Sequence, residues 1–533
     1  MMRVPLDLAN LLRHAAREHG AKRIHTVGAD GRVQAGSWAQ LERRARQWGQ
    51  AWDRLEQAPG SVVALLGWNA QGLLEAVLGT AASGRQALTL NPRQFPEQLI
   101  YAVNQAKAEA LVFDPELAPL VEAMQLQMGT VKHYIQLGGP DALPPPSWGL
   151  APMDAESLLG MDDPDWRWPE VDENSTALIA FRVASSGWPK GVPISHRACI
   201  LQAMAAAFPD AYGIAHVDTL MPLLPVAHSG GWALCLCAAL IGSQLTMVPP
   251  GLSTADLARA MLETGVTIAA GPPTVWQALL DHLDAEGLRL PTLRCAAVGS
   301  ASFPVPLLER LRAMPGLDVV HTWGMTELAP PALVARGALL TPDRDGRLPQ
   351  GRACFGVEIA LVDDAGRSLP RDDDAEGELV VRGPWTLDAY LGETESPLVA
   401  VDGDPGWLPT GDIGRIGPDG RVTLTDRKKD LIRCGGEWIS ARQLERIALL
   451  HPQVAEAAVI AQADEVHGER PLLVVVARLG GAPDPEELLT LFNGRVADWQ
   501  RPVQALCFPE LPKLGNGDID KRELRALVDT LLN

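Results

Sequence analysis

The sequence predicts an α/β protein: a large N-terminal domain of parallel α/β sheets with a β-rich subdomain, followed by a small α+β C-terminal domain. Three observations predict it. Over residues 62–113, short apolar runs alternate with amphipathic stretches of about ten residues or more, the pattern of parallel strands joined through helices. The same alternation returns over 266–322. Between 350 and 426 the texture changes to closely spaced turn signals, Asp363-Asp364-Ala365-Gly366 and Pro418-Asp419-Gly420, which read as hairpins. A chain of 533 residues exceeds what one core organises. The division is expected at Lys429, giving domains 1–428 and 429–533.

In chain order, Leu6 to Glu18 reads as an amphipathic helix, because Asp7, Arg13, Arg17 and Glu18 interrupt any apolar core of the signal-peptide type. Residues 24–27 and 32–35 flank Ala29-Asp30-Gly31 as a hairpin. Ser37-Trp38-Ala39-Gln40 is a capping-box sequence, and the helix it opens places Trp38, Leu41, Ala45, Trp48 and Leu55 on one side. Strands follow at 62–66, 87–90 and 110–113, with helices over 69–83 and 97–105 between them. Residues 136–172, rich in Pro, Gly and Asp, read as a surface excursion. A helix begins at Ser195-His196-Arg197 and runs to about Phe208. Gly230 to Val248 is uncharged, but Gly242-Ser243 breaks it into a helix, a turn and a strand, so no membrane span is expected. Strands at 266–270, 295–298 and 319–322 flank a helix over 274–283. After Lys428 the pattern gives helices at 443–450, 485–492 and 521–531 and strands at 454–461 and 472–478.

The apolar share of 47% and charged share of 21% are those of a soluble globular protein. The formal net charge of −19 argues against nucleic acid as a partner, since phosphate-backbone binding needs clustered Lys and Arg. The seven cysteines are odd in number and scattered, and Cys235 and Cys237 point to different faces of a helix. Free thiols and a cytoplasmic enzyme are expected.

Chemistry concentrates in Phe181-Arg182-Val183-Ala184-Ser185-Ser186-Gly187-Trp188-Pro189-Lys190-Gly191, which follows the buried apolar run Ala177-Leu178-Ile179-Ala180. Hydroxyls on Ser185 and Ser186, close backbone approach at Gly187 and the charge of Lys190 suit anionic oxygens. The spacing is not that of a Walker loop. The segment resembles the phosphate loop of the adenylate-forming superfamily, which includes acyl-CoA synthetases, peptide-synthetase adenylation domains and luciferases. There it reads Tyr-Thr-Ser-Gly-Thr-Thr-Gly-x-Pro-Lys-Gly, so Arg182, Val183 and Ala184 stand where Thr, Ser and Gly are usual. Further segments in the same order resemble the acyl-CoA synthetase branch: Asn91-Pro92-Arg93 with Phe95-Pro96-Glu97-Gln98, Trp323-Gly324-Met325-Thr326-Glu327, Thr410-Gly411-Asp412, Asp426-Arg427-Lys428-Lys429-Asp430, Gly435-Gly436-Glu437 and Gly468-Glu469-Arg470-Pro471. They cover nearly the whole chain and match medium- to long-chain fatty acyl-CoA ligases.

The resemblance implies roles. Glu327 would hold Mg²⁺ and Thr326 would donate to the α-phosphate. Asp412 would accept from the ribose hydroxyls, with Arg427 beside it. Gly299, Ser300 and Ala301 would lie against adenine, and His321, Thr322 and Trp323 would complete the nucleotide wall. His228 would border the acyl pocket and the CoA tunnel, and Trp232, Trp323 and Met325 would shape an apolar acyl slot. Lys429 would be the hinge between an adenylating and a thioester-forming pose, and Gly435 and Gly436 would line the pantetheine channel. The family's C-terminal adenylation lysine falls on Asp518, within Pro512-Lys513-Leu514-Gly515-Asn516-Gly517-Asp518-Ile519-Asp520-Lys521-Arg522. A carboxylate there puts negative charge among anions, and weakened adenylation is the expectation. Arg182, Lys513 and Lys521 are the cations available to compensate.

The implied reaction joins a carboxylic acid, of fatty type, to ATP as acyl-AMP and then to CoA, with ATP, Mg²⁺ and CoA as cofactors. Two alternatives stay open: an enzyme performing part of this reaction or serving a different nucleophile, and a non-catalytic paralogue that binds nucleotide or acyl-CoA. Homodimers are common in the family it resembles.

Overall fold

Five-residue runs such as Val62-Val63-Ala64-Leu65-Leu66 carry no alternating polar face, so they need cover on both sides. In the computed structural model of the chain they have it, and this strand is buried along its whole length. The structure describes residues 4–139, 142, 149, 151–182, 189–301, 303–434, 437–464, 467–478, 481, 483–513 and 519–532. These form two compact units, one of residues 1–358 and 381–398, the other of 359–380 and 399–533.

The first unit contains two sheets. In the seven-stranded sheet the spatial order is Met153–Asp154, His133–Gln136, Ala110–Phe113, Val62–Leu66, Gln86–Leu90, Thr176–Arg182, Lys190–Ser195. All pairings are parallel except the last, an antiparallel hairpin that sets Arg182 opposite Lys190. The hairpin's connection, 183–188, is the phosphate-loop segment and lies outside the described residues. In the nine-stranded sheet the order is Arg352–Ala353, Leu333–Arg336, Asp318–Trp323, Cys295–Val298, Ile268–Gly271, Thr219–Pro222, Gln244–Met247, Arg23–Val27, Val33–Ser37. From Asp318–Trp323 to Arg23–Val27 it is parallel.

Local signals explain the helices. Ser37 caps Trp38–Arg54 by accepting from the Gln40 amide at 3.3 Å, and Trp38, Leu41, Ala45 and Trp48 are fully buried on its inner face. The uncharged stretch expected to break at Gly242 does so: helix Ser229–Ile241 ends on Gly242 at φ +75°, and strand Gln244–Met247 follows. A side chain at Gly242 would run into the His19 ring, so glycine is required there twice over. No helix among the described residues is long and apolar enough to cross a membrane.

The second unit holds a five-stranded β-rich sheet, with Glu358–Val362, Gly377–Arg382, Asp404–Ile416 and Val399–Val401 in order and Val422–Arg427 also paired to Asp404–Ile416. A further sheet runs Glu437–Ser440, Leu431–Cys434, Gly468–Ala477, Val454–Asp464, with Gln504–Phe508 parallel to Gly468–Ala477. Its strands are apolar on both faces: Leu473 and Val475 join one core with Leu444 and Ile447, while Leu472 and Val474 join another with Leu524 and Val528.

Two core histidines of the first unit give a pH prediction. His196, fully buried, accepts from the Leu8 amide at Nδ1, and His321 is 3% exposed with Nδ1 2.9 Å from the Pro349 carbonyl oxygen. Burial pushes both imidazoles down from 6.5 to about 4. As pH falls below about 6.5 the unfolded chain takes up these protons and the native one does not, so stability drops between about 6.5 and 4. Two such groups give a slope of up to about 2.7 kcal/mol per pH unit. The melting temperature should fall steeply from pH 7 to pH 5.5, and replacing His196 and His321 by Gln should flatten that fall. A flat profile in the unmodified protein contradicts the assignment.

Candidate active site

Strands Thr219–Pro222, Ile268–Gly271, Cys295–Val298 and Asp318–Trp323 lie side by side and parallel, so their carboxyl ends share one edge of the sheet. Ligands of open α/β sheets bind along such an edge. The segments leaving it are the ones singled out in sequence: Leu223 to His228, Gly299-Ser300-Ala301, and Trp323 to Glu327. Register sets Val298 opposite His321, which brings Gly299 against Thr322. A Cβ at Gly299 would sit 2.9 Å from the Thr322 carbonyl oxygen, so a side chain there displaces the neighbouring strand end. Ser300 holds φ +68°. The His321 ring packs edge-on against Phe303 and is spoken for by Pro349, leaving its backbone as the part able to face a ligand.

Thr326–Leu328 forms a single 3-10 turn that starts three residues after the strand. Its central carboxylate, Glu327, is buried at 1% exposure. The Tyr390 hydroxyl donates to Glu327 Oε1 at 2.7 Å, and the Leu387 amide donates to the Glu327 carbonyl oxygen at 2.8 Å. Arg182 Nε lies 2.6 Å from the same Oε1. Its N–H is not aimed along that line, so the contact is an ion pair more than a directed hydrogen bond. Glu327 Oε2 is buried with no hydrogen-bond partner among the described residues. Burial, and then the Glu327 charge, push the Tyr390 phenol above its ordinary value of 10. Lys190 Nζ is 2.9 Å from Glu393 and 4.6 Å above the Tyr390 ring. The structure thus gathers Arg182, Lys190 and Glu327, which the sequence named, around Tyr390 and Glu393, which it did not.

His228 caps helix Ser229–Ile241 through Nδ1, which accepts from the Gly230 amide at 3.1 Å. Burial lowers its pKa, so the neutral ring carries its proton on Nε2. The next glycines are fixed by packing, since a Cβ on Gly231 would collide with the Pro225 carbonyl. Trp232 is a core residue at 1% exposure. Thr326, Trp323 and Met325 are partly exposed beside Glu327.

In the second unit, antiparallel pairing sets Asp412 opposite Arg427, with Nε and Oδ1 3.7 Å apart. The Thr410 hydroxyl donates to the Leu379 carbonyl and accepts from the Asp412 amide at 3.1 Å, which fixes the Thr-Gly-Asp turn around Gly411 at φ +74°. Lys429 is exposed in the 3-10 turn Lys428–Asp430, between strands Val422–Arg427 and Leu431–Cys434 of different sheets. Two of the three candidate substitute cations are committed elsewhere in this unit: Lys513 to Glu456 at 2.8 Å and Lys521 to Glu445 at 2.6 Å. Ser185, Ser186, Gly187, Gly435, Gly436 and Asp518 lie outside the described residues.

No group of three or more His, Cys, Asp or Glu that could hold a metal is found among the described residues. Magnesium, however, is ordinarily bound through one or two carboxylates plus substrate phosphates and water. The unpartnered, buried Oε2 of Glu327 fits that use.

Comparisons with known proteins point to one family. A family model described as "AMP-binding enzyme" matches residues 12–391, and one described as "AMP-binding enzyme C-terminal domain" matches 443–518. The chain is 38% identical to a 3-methylmercaptopropionyl-CoA ligase of Ruegeria lacuscaerulensis, covering 98% of each protein. It is 35% identical to a medium-chain-fatty-acid–CoA ligase of Ectopseudomonas oleovorans, covering 100% of this chain and 98% of the relative. Among solved structures, the amide bond synthetase McbA of Marinactinospora thermotolerans superposes with a TM-score of 0.82 at 26% identity, covering 98% of this chain and 99% of that one.

Proposed function

This chain belongs to the AMP-binding enzyme family, and we propose that it is an adenylate-forming acid:CoA ligase acting on an aliphatic, fatty-type acid. The observation that carries this is end-to-end identity of 35–38% to ligases that make CoA thioesters. In the first step a carboxylate oxygen attacks the α-phosphorus of ATP and pyrophosphate leaves. In the second the CoA sulfur attacks the acyl carbon and AMP leaves with the bonding pair. Passing through a mixed anhydride turns one difficult substitution into two easier ones.

The chain's own groups divide the work as follows. Arg182 and Lys190 flank the phosphate loop and neutralise phosphate charge. Thr326 donates to the α-phosphate. Glu327 would hold Mg²⁺, which supplies further shielding of the phosphate oxygens. Gly299, Ser300 and Ala301 leave room for a flat base, and neutral His228 presents an Nε2–H donor to the acyl side. The opposed carboxylate and guanidinium of Asp412 and Arg427 suit a ribose diol. Rotation at Lys429, the functional boundary between 1–428 and 429–533, exchanges the C-terminal residues serving the two steps. We place the enzyme in the cytoplasm, in keeping with its seven free cysteines.

The test is release of AMP and pyrophosphate, with consumption of CoA thiol, from ATP, Mg²⁺ and a panel of acids from acetate to long-chain and aromatic. Equal AMP and thioester yields on an aliphatic acid are expected. Release of AMP with transfer only to an amine would favour the different-nucleophile reading, which the likeness to an amide bond synthetase keeps in view. Nucleotide binding without turnover on any acid would favour the binding paralogue.

A further inference from the structure

Arg182 is the last described residue of strand Thr176–Arg182 before the phosphate loop, at a position where the family it resembles carries Thr. Its guanidinium meets the one buried carboxylate of the turn, Glu327. Three features set this pair apart from a structural salt bridge. The side chains are unequal, Arg182 being 39% exposed and Glu327 fully buried. The Nε–H is misaligned with Oε1, so little directional bonding holds the arginine in place. No further ion pair or hydrogen bond of the guanidinium is found among the described residues, so the rest of its donor fork can turn to another acceptor. Meanwhile Glu327 Oε2 has no hydrogen-bond partner among the described residues. The neighbouring loop cation, Lys190, rests on Glu393 in a half-exposed, hydrogen-bonded pair.

We propose that Arg182 is an exchangeable counter-cation: it occupies Glu327 in the nucleotide-free protein and passes to the triphosphate when ATP arrives with its divalent metal. The proposal rests on the ATP-dependent reading above. Its logic is electrostatic. With a guanidinium on Oε1, a divalent cation at Oε2 meets a positive charge within a few ångströms in a partly desolvated site, which disfavours metal binding alone. A triphosphate offers Arg182 a better, bidentate acceptor, and the carboxylate it leaves is then open to the metal. Arg182 is therefore a phosphate-binding residue in its own right, and metal and nucleotide are bound as a coupled pair.

The experiment uses full-length protein and reads binding rather than turnover. Mn²⁺ binding is followed by electron paramagnetic resonance without nucleotide, and ATP binding in EDTA by calorimetry, for the unmodified protein, Arg182→Thr and Glu327→Gln. The unmodified protein should bind Mn²⁺ weakly alone and ATP measurably without metal. Arg182→Thr should bind Mn²⁺ alone at least about tenfold more tightly, and should bind metal-free ATP roughly 10- to 100-fold more weakly, the loss of a charge-assisted phosphate contact. Glu327→Gln frees the guanidinium, so metal-free ATP should bind as tightly as before or more so, while Mn²⁺ binding disappears. If Arg182→Thr changes neither affinity, or if Glu327→Gln weakens metal-free ATP as much as Arg182→Thr does, the pair is structural and the proposal fails. If Arg182→Thr does not fold, Glu327→Gln alone decides by the same comparison. Failure of the unmodified protein to bind Mg·ATP would instead remove the ligase reading itself.

Discussion

Glu327→Gln is expected to lower ATP-dependent AMP and pyrophosphate release by about 10²–10³-fold, the usual cost of removing one preorganised charge-stabilising group from a reacting centre. The substitution is nearly isosteric and keeps an oxygen to accept from Tyr390, whose hydroxyl now sits 2.7 Å from Oε1. What it removes is the charge. Arg182 is 39% exposed and returns to water at little cost, so the melting temperature should shift by only a few degrees. The half-reaction supplied with synthetic acyl-AMP and CoA should fall no more than a few-fold, because no triphosphate has to be shielded in it. Measuring both halves on the same preparation checks the claim. Equal losses in the two would mean that Glu327 holds the site's shape instead of serving the nucleotide step, and no loss in either would remove it from the chemistry.

How much of this was legible in the sequence depended on whether the signal was local. Apolar runs bounded by turn residues placed Ala110–Phe113 to the residue and Val62–Leu66 likewise, since such strands need cover on both faces whatever lies next to them. Gln504–Phe508 was missed: Gln-Ala-Leu-Cys-Phe has no β-branched residue, and it is a strand because Gly468–Ala477 offers it a free edge. The hairpin of Leu431–Cys434 and Glu437–Ser440 was hidden in the same way, in a stretch whose charges and glycines look like a loop. Glu327 was named because it sits in a contiguous five-residue motif. Tyr390, 63 residues further on, belongs to no motif and reached the site through backbone pairing of Leu391 with Gly191 and Leu387 with Glu327. The one available hint was a tyrosine, one of four in the chain, in the irregular stretch Pro384 to Gly392. Arg182 was read as a departure from a pattern; its partner could not be, because nothing local sets the distance between a strand end and a turn of another sheet.

The second large effect concerns Lys521, which sequence alone offered as a replacement for the missing adenylation ammonium. Its Nζ lies 2.6 Å from Glu445 in an ion pair that, like the Arg182 contact, is not a well-aligned hydrogen bond, but here both side chains are mostly buried, at 12% and 16% exposed, and Glu445 also accepts from the Val459 amide at 2.8 Å. Drawing Lys521 away to serve a phosphate would strand a mostly buried carboxylate, so the ammonium is part of the second unit's stability. Lys521→Met should destabilise that unit by roughly 3 kcal/mol at pH 8, the cost of leaving a buried charge without its partner. Burial already holds the Glu445 carboxyl above its usual 4.5, with Lys521 pulling the other way. Removing Lys521 raises it further. An acid raised in the folded state is most stable protonated, and its stability is lost as pH climbs through the folded value, so the variant's deficit should shrink as pH is lowered from 8 toward 5. Adding Glu445→Gln should recover most of the loss at pH 8, because the carboxylate needing the partner is then gone. Chemical denaturation of the single and double variants at the two pH values measures all of this. Little deficit at either pH, or a double variant no better than the single one, would show that the Lys521–Glu445 pair carries no stability, and would return Lys521 to the candidates for a role in catalysis.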